Sequence, residues 1–156
     1  MRALRCHLKA AVISRKARHK ARTFAIQALY QWHYNHTDDL ALITEFQARN
    51  DYHTYVDWDL FIDLIKGVVP DPTAIDAQIV EKAGRPLKEI NPTEVAILRA
   101  ASAELKGRLD VPYQVVLSEY VDLAEEFGAT EAHQFINAVL DCLSKDYRPL
   151  EQGAKK

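Results

Sequence analysis

Little in this chain could cross-link it, anchor it or carry out a reaction. Its 156 residues include two cysteines, Cys6 and Cys142, far apart and in no metal-ligand spacing. That excludes a disulfide framework and reads as a reduced, intracellular chain, here taken as cytoplasmic. No apolar run approaches the roughly 20 residues that span a bilayer, so no membrane segment is expected. Residues 1–13 have an apolar leaning, but Arg5, His7 and Lys9 interrupt the core that a secretory signal needs. The phosphate-binding loop, the dinucleotide fingerprint, H-E-x-x-H and the G-x-S-x-G elbow are all missing. His33 and His36 lie one helical turn apart with Asp38 and Asp39 following, a spacing that a frayed helix end explains as well as a metal does. Glu125 and Glu126 are adjacent, so they point to different faces and form no acid–base pair. The chain reads as a non-enzyme with no cofactor and no metal.

Acid is also missing from one end. Residues 1–22 hold Arg2, Arg5, Lys9, Arg15, Lys16, Arg18, Lys20 and Arg22 and not one Asp or Glu. Of 20 basic residues 12 remain for residues 23–156, against all 22 acidic ones, a charge of −10 beneath an overall −2. A basic end on an acidic body suits contact with a polyanion.

What is present is helical periodicity. Ala17, Ala21, Phe24, Ala25, Ala28, Leu29 and Trp32 recur at three- and four-residue spacings, one apolar face of a helix from about Arg15 to Tyr34. Arg15, Arg18 and Arg22 recur at i, i+3 and i+7 and share another stripe, so the cations are expected on a scaffold. A second helix fits about Asp38 to Arg49, capped by Thr37 or Asp38, with Leu40, Ile43 and Phe46 facing in. A third runs from about Tyr55 to Val69, where Pro70 and Pro72 break or kink it. A fourth covers about Pro72 to Lys82.

The clearest start is Asn91-Pro92-x-Glu94: a capping asparagine, proline at the first helical position, and a capping-box glutamate. That helix presents Val95, Ile97, Leu98, Ala101 and Leu105 and ends near Gly107. The next opens at Val111-Pro112 and stops at Gly128. The last, capped by Thr130, buries Phe135, Ile136, Val139, Leu140 and Leu143. Nothing reads as strand or repeat. The fold class is all-α, roughly seven helices in one compact domain over residues 14–148, with an extension at 1–13 and a tail at 149–156. Tyr30 lies off the apolar stripe of the first helix, and Phe135 follows polar Glu131, His133 and Gln134. Either aromatic is a packing group or a base-stacking platform.

The run ARHKARTFAIQALYQW (17–32) resembles the opening arginine-rich helix of the NusB family of bacterial transcription antitermination factors. ILRAASAEL (97–105), DVPYQVVLSEYVDLAEEFG (110–128) and FINAVLD (135–141) are similar to later blocks of that family, in order and spacing. The resemblance spans about residues 14–148. It implies two small helical subdomains packed across each other and binding of boxA, a single-stranded element of ribosomal RNA leaders. It further implies a ribosomal small-subunit protein, NusE in this role, as partner, and a place in the antitermination complex on RNA polymerase. Position by position, the resemblance places Arg18, Lys20 and Arg22, with Arg15 and Lys16 beside them, at the RNA. The family often has Arg where His19 stands, which removes a cation or makes it pH-dependent. Tyr30, Phe135 and Glu131 match positions near the RNA face, and Glu94 matches one associated with the protein partner, although capping alone would explain it. Arg99 and Glu104 suit a structural ion pair or a partner contact.

Phosphates held by the cations would provide salt-sensitive affinity, and unstacked bases would provide sequence preference. Two other readings stand beside this one. A NusB-like domain also precedes cytosine-5 RNA methyltransferases, where a long catalytic domain follows, and a helical adaptor could use a basic end to contact an acidic protein. The oligomeric state, monomer or homodimer, stays open.

Overall fold

The structure, a computed structural model, describes residues 14–50, 55–128 and 131–153. These form eight α-helices and one short 3-10 turn, with no strand among the described residues. In chain order they are α1 Arg15–Asn35, α2 Asp39–Arg49, α3 Trp58–Val68, α4 Thr73–Ala83, the 3-10 turn Leu87–Glu89, α5 Pro92–Gly107, α6 Tyr113–Phe127, α7 Ala132–Tyr147 and α8 Pro149–Gly153.

Local chemistry sets most of these boundaries. Ser14 Oγ accepts from the Ala17 amide at 3.1 Å and starts α1. His36, in the left-handed region at φ 52°, donates its amide to Trp32 O and ends it. Asp38 caps α2 by accepting from Ala41 at 2.7 Å. Asp57 caps α3 by accepting from Leu60 at 3.1 Å, so that helix begins at Trp58 and not at Tyr55, which stays exposed. Pro70 and Pro72 separate α3 from α4 completely. Gly84, at φ 70°, closes α4 in the left-handed conformation that glycine adopts without a Cβ penalty. Asn91 Oδ1 accepts from the Thr93 amide at 2.9 Å, giving α5 its cap. The reciprocal half of the expected capping box does not form: no hydrogen bond joins the Glu94 carboxylate to the Asn91 amide. The cap expected from Thr130 lies outside the described residues.

Helix α5 is the axis of the molecule. Every residue from Val95 to Leu105 is buried, so it is enclosed on all sides and not only along the stripe its apolar residues mark out. On one side it packs against α1 and α3, and on the other against α6 and α7, with α4 resting on α5 and α7. Gly67 of α3 permits the closest approach: a Cβ built there would lie 2.9 Å from Ala103 Cβ of α5. The α1 face is buried as its spacing predicts, with Ile26 and Arg22 added. On α2 the buried residues are Leu42, Ile43 and Phe46, whereas Leu40, expected inside, is 69% exposed. The tertiary contact with α3 rotated the buried face by less than half a turn. In α7, Phe135 is half-buried rather than interior.

The segment after Tyr147 continues into α8. Arg148 is the anchor: buried to 3%, it donates to the carbonyls of Val111 at 2.8 Å and Arg108 at 2.7 Å, and to Leu105 O and Glu151. These are carbonyls at the C-terminal end of α5 and in the α5–α6 connection, so one guanidinium satisfies acceptors that the end of a helix leaves open.

Candidate nucleic-acid interface

Helix α1 carries no acidic residue, and its first two turns bring four accessible cations to one end of the molecule. Arg15 is 95% exposed at its side chain and lies 3.8 Å from Glu119. Lys16 is exposed. Arg18 is 37% exposed and its Nε stands 3.9 Å from Asp57, without a hydrogen-bond partner. Lys20 places its ammonium 5.6 Å from the centre of the Phe24 ring, a cation–π distance. Beside Arg15 and Arg18 lies a cavity of about 500 Å³ walled by Val111, Pro112, Val115 and Ser118 at the start of α6.

Arg22 does not belong to this display. It shares the stripe of Arg15 and Arg18 but points inward and is 2% exposed. Its Nε and Nη2 donate to the two oxygens of Glu104 at 2.9 and 2.7 Å, and the Tyr120 hydroxyl donates to the same carboxylate at 2.8 Å. Glu119 adds a charge 3.6 Å away. Burial pulls the guanidinium pKa down. The Glu104 hydrogen bonds and charge, with Tyr120 and Glu119, more than reverse this and leave it above its ordinary value. For Tyr120 burial comes first, and with the Glu104 charge it raises the phenol well above its usual range. Arg22, expected to track phosphates, is thus buried with its Nε and Nη2 committed to Glu104, unlike Arg15 and Arg18. The signal lay in ILRAASAEL, where Glu104 sits between Ala103 and Leu105 in a segment with no solvent face.

His19 is also engaged. Its Nδ1 lies 3.2 Å from Glu119 and its Nε2 3.3 Å from Glu126, so the imidazole bridges two carboxylates of α6. Arg99 takes the structural option of the two considered for it. It pairs with Asp76 through two 2.9 Å hydrogen bonds, lies over the Trp32 ring at 5.0 Å and meets His33 Nδ1 at 3.2 Å. Burial first, then the Arg99 charge, lowers the pKa of His33. His33 thus meets Arg99, and among the described residues no group of three or more His, Cys, Asp or Glu is placed to hold a metal ion.

Tyr30 is 41% exposed, with its ring edge-on to Tyr34 at 5.4 Å. Glu131 is exposed at the start of α7, and its side chain caps nothing. Phe135 carries a partner that sequence reasoning missed. The Arg85 guanidinium, exposed in the loop after α4, lies 4.4 Å from the ring centre. Arg85 also neighbours Glu94, whose carboxyl burial raises and the Arg85 charge lowers, leaving it above its ordinary value. Phe135 and Glu94 are thus linked through Arg85. Among the described residues, no hydrogen bond, ion pair or ring contact joins that group to the cations of α1.

These features define a class: an all-α protein that presents a basic helix end on an acidic body. The NusB family model matches residues 19–145. The chain is 41% identical over 145 residues to the transcription antitermination protein NusB of Teredinibacter turnerae, covering 92% of this chain and 98% of that protein. It is 40% identical to the same-named protein of Idiomarina loihiensis, covering 87% and 97%. Among solved structures, NusB of T. maritima superposes with a TM-score of 0.76 at 24% identity, over 87% of this chain and 96% of that one, which shows the fold. The chain belongs to the NusB family, a non-enzymatic family. Matches over 97–98% of these relatives leave no room in them for the catalytic domain of a methyltransferase.

Proposed function

We propose that the chain is a cytoplasmic transcription antitermination factor that binds single-stranded, boxA-type RNA along α1. In this reading it acts together with a ribosomal small-subunit protein in the NusE role, within the antitermination complex on RNA polymerase. One observation carries the RNA reading. Arg15, Lys16, Arg18 and Lys20 emerge from two turns of a helix that has no acid of its own, on a body of charge −10 over residues 23–156. Helix-borne cations of this kind track phosphates, and exposed aromatic rings such as Tyr30 and half-buried Phe135 suit unstacked bases.

The partner reading rests on family membership and on charge: an acidic body speeds encounter with a basic ribosomal protein. Glu94 supports it, since an under-neutralised, half-buried carboxylate on a helix terminus gains from a cationic partner. The test is calorimetry of the chain with the ribosomal protein, followed by RNA titration of each component and of the mixture. A one-to-one complex that binds boxA RNA about tenfold more tightly than the chain alone is expected. Linkage then requires RNA to raise partner affinity by the same factor, about 1.4 kcal/mol. No complex and no gain in RNA affinity would remove the partner claim and leave RNA binding to be judged alone.

A further inference from the structure

We infer that the groove between α1 and the C-terminal end of α2 is a subsite for one unpaired nucleobase. This inference rests on the reading of α1 as an RNA-binding helix. The groove encloses about 330 Å³ and is lined by Gln27, Gln31, Phe46, Arg49 and Asn50. Its aromatic member is Phe46, whose ring lies under the Arg49 guanidinium at 5.0 Å and meets Phe24 behind it edge to face at 5.5 Å. A guanidinium plane held on a phenyl ring is a stacking surface for a base.

Its walls are amides. Arg49 Nη2 donates to Gln31 Oε1 at 3.1 Å, which fixes the Gln31 side chain, and Gln31 Nε2 points toward Glu45 Oε1 at 3.5 Å. Asn50 Nδ2 donates to Phe46 O at 2.8 Å and leaves its Oδ1 as an acceptor. Gln27 is exposed and makes no side-chain hydrogen bond among the described residues. Amide side chains offer a donor and an acceptor side by side, the pattern that base edges present.

The groove's one charged lining residue, Arg49, is held on the Phe46 ring and by Gln31, so the amides that make up the rest of the polar lining favour a planar, hydrogen-bonding group. The phosphates have their own track. Lys16, Lys20, Gln27 and Gln31 lie within about 60° of one another around α1, and Gln27 stands roughly 10 Å beyond Lys20 along the axis. A strand whose phosphates follow Lys16 and Lys20 therefore brings a base over Gln27 and Gln31.

The probe is a mixed-sequence single-stranded RNA carrying one abasic nucleotide at successive positions, titrated into the full chain and into Gln31→Ala and Arg49→Ala. Circular dichroism establishes that each variant is folded. The wild type should lose about tenfold in affinity at one abasic position, and each variant should lose about tenfold on intact RNA yet nothing further at that position. The side-chain amide resonances of Gln27, Gln31 and Asn50 should shift on adding RNA. If every abasic penalty persists in both folded variants while Arg18→Glu abolishes binding, the subsite is wrong and RNA binding by α1 stands. Amide shifts with an acidic peptide but not with RNA would assign the groove to a protein and overturn the inference. No RNA binding by the wild type would remove the reading of α1 and the subsite with it.

Discussion

Arg18 and Arg22 are four residues apart on one helix, and they do opposite things. Arg18 is partly open to solvent with one loose charge partner at 3.9 Å, whereas Arg22 is sealed against Glu104, Tyr120 and Glu119. The first two turns bury Ala17 and Ala21 but leave Arg15, Lys16 and Arg18 accessible beside the start of α6, whereas Arg22, one turn on, reaches Glu104 of α5 and Glu119 and Tyr120 of α6. A basic stripe thus becomes a binding surface at one end and an internal clasp at the other. Sequence spacing reports that the arginines share a stripe, but it does not report where that stripe meets the rest of the molecule.

The sharpest way to break this contrast is to remove the clasp. Arg22→Ala leaves Glu104 buried without its cation and should lower stability by about 3–5 kcal/mol, read as a shift in the urea unfolding midpoint. Combining Arg22→Met, Glu104→Leu and Tyr120→Phe removes the hydrogen-bonded trio at once, leaves Glu119 to His19, and should be close to neutral or mildly stabilising. If that folded triple variant binds RNA as the wild type does, the clasp is structural and nothing more. A loss of RNA affinity in it would return Arg22 to the interface.

At the exposed end the effect should appear in binding and not in folding. Arg18→Glu with Lys20→Glu should abolish RNA binding while leaving helical circular dichroism unchanged. With Arg22 withdrawn, four cations of α1 remain to neutralise phosphates. Log affinity against log salt should then slope by about −2.8 for a single strand, and a slope near −3.5 would count a fifth contact. A flat plot would place the cations in solvent.

A smaller effect is expected where α3 meets α5. Gly67→Ala adds a methyl 2.9 Å from Ala103 Cβ and should cost about 1–3 kcal/mol through overpacking. An unchanged melting temperature would show that the helices separate freely there.

The smallest effect concerns Glu94. Burial holds its carboxyl above the ordinary value of 4.5, so the folded state binds this proton more tightly than the unfolded state. Its contribution to stability is therefore present below pH 4.5 and is lost as pH rises through the folded-state value. Glu94→Gln should abolish that loss, giving a stability difference from wild type that grows in its favour across the window. A difference independent of pH would mean that the carboxyl is not held up. Addition of the ribosomal protein should lower the Glu94 pKa if a cation from that partner settles on it.

Helix existence was legible because it depends on periodicity and on caps built from neighbouring residues. Ser14, Asp38, Asp57 and Asn91 each accept an amide two or three residues ahead, an arrangement that needs no tertiary partner. The Pro70/Pro72 break is equally local, since proline lacks a donor. Residues 149–153 of the expected tail at 149–156 form a helix too short for its periodicity to register in the sequence. Arg148 reaches carbonyls more than 35 positions back in the chain, which no local pattern encodes.

The sequence by itself determined the all-α class, the capped starts at Asp38 and Asn91, the charge contrast between the helix end and the body, and family membership. Each follows from nearest-neighbour chemistry or from the order of residues. Tertiary structure alone decided which arginine is exposed, which carboxylate receives the other, that Arg85 covers Phe135, and that Leu40 faces water. Those outcomes depend on how helices are rotated and crossed against one another. A side chain's role follows from what a distant segment places opposite it: Arg22 is a clasp because Glu104, 82 residues later, has no water to turn to.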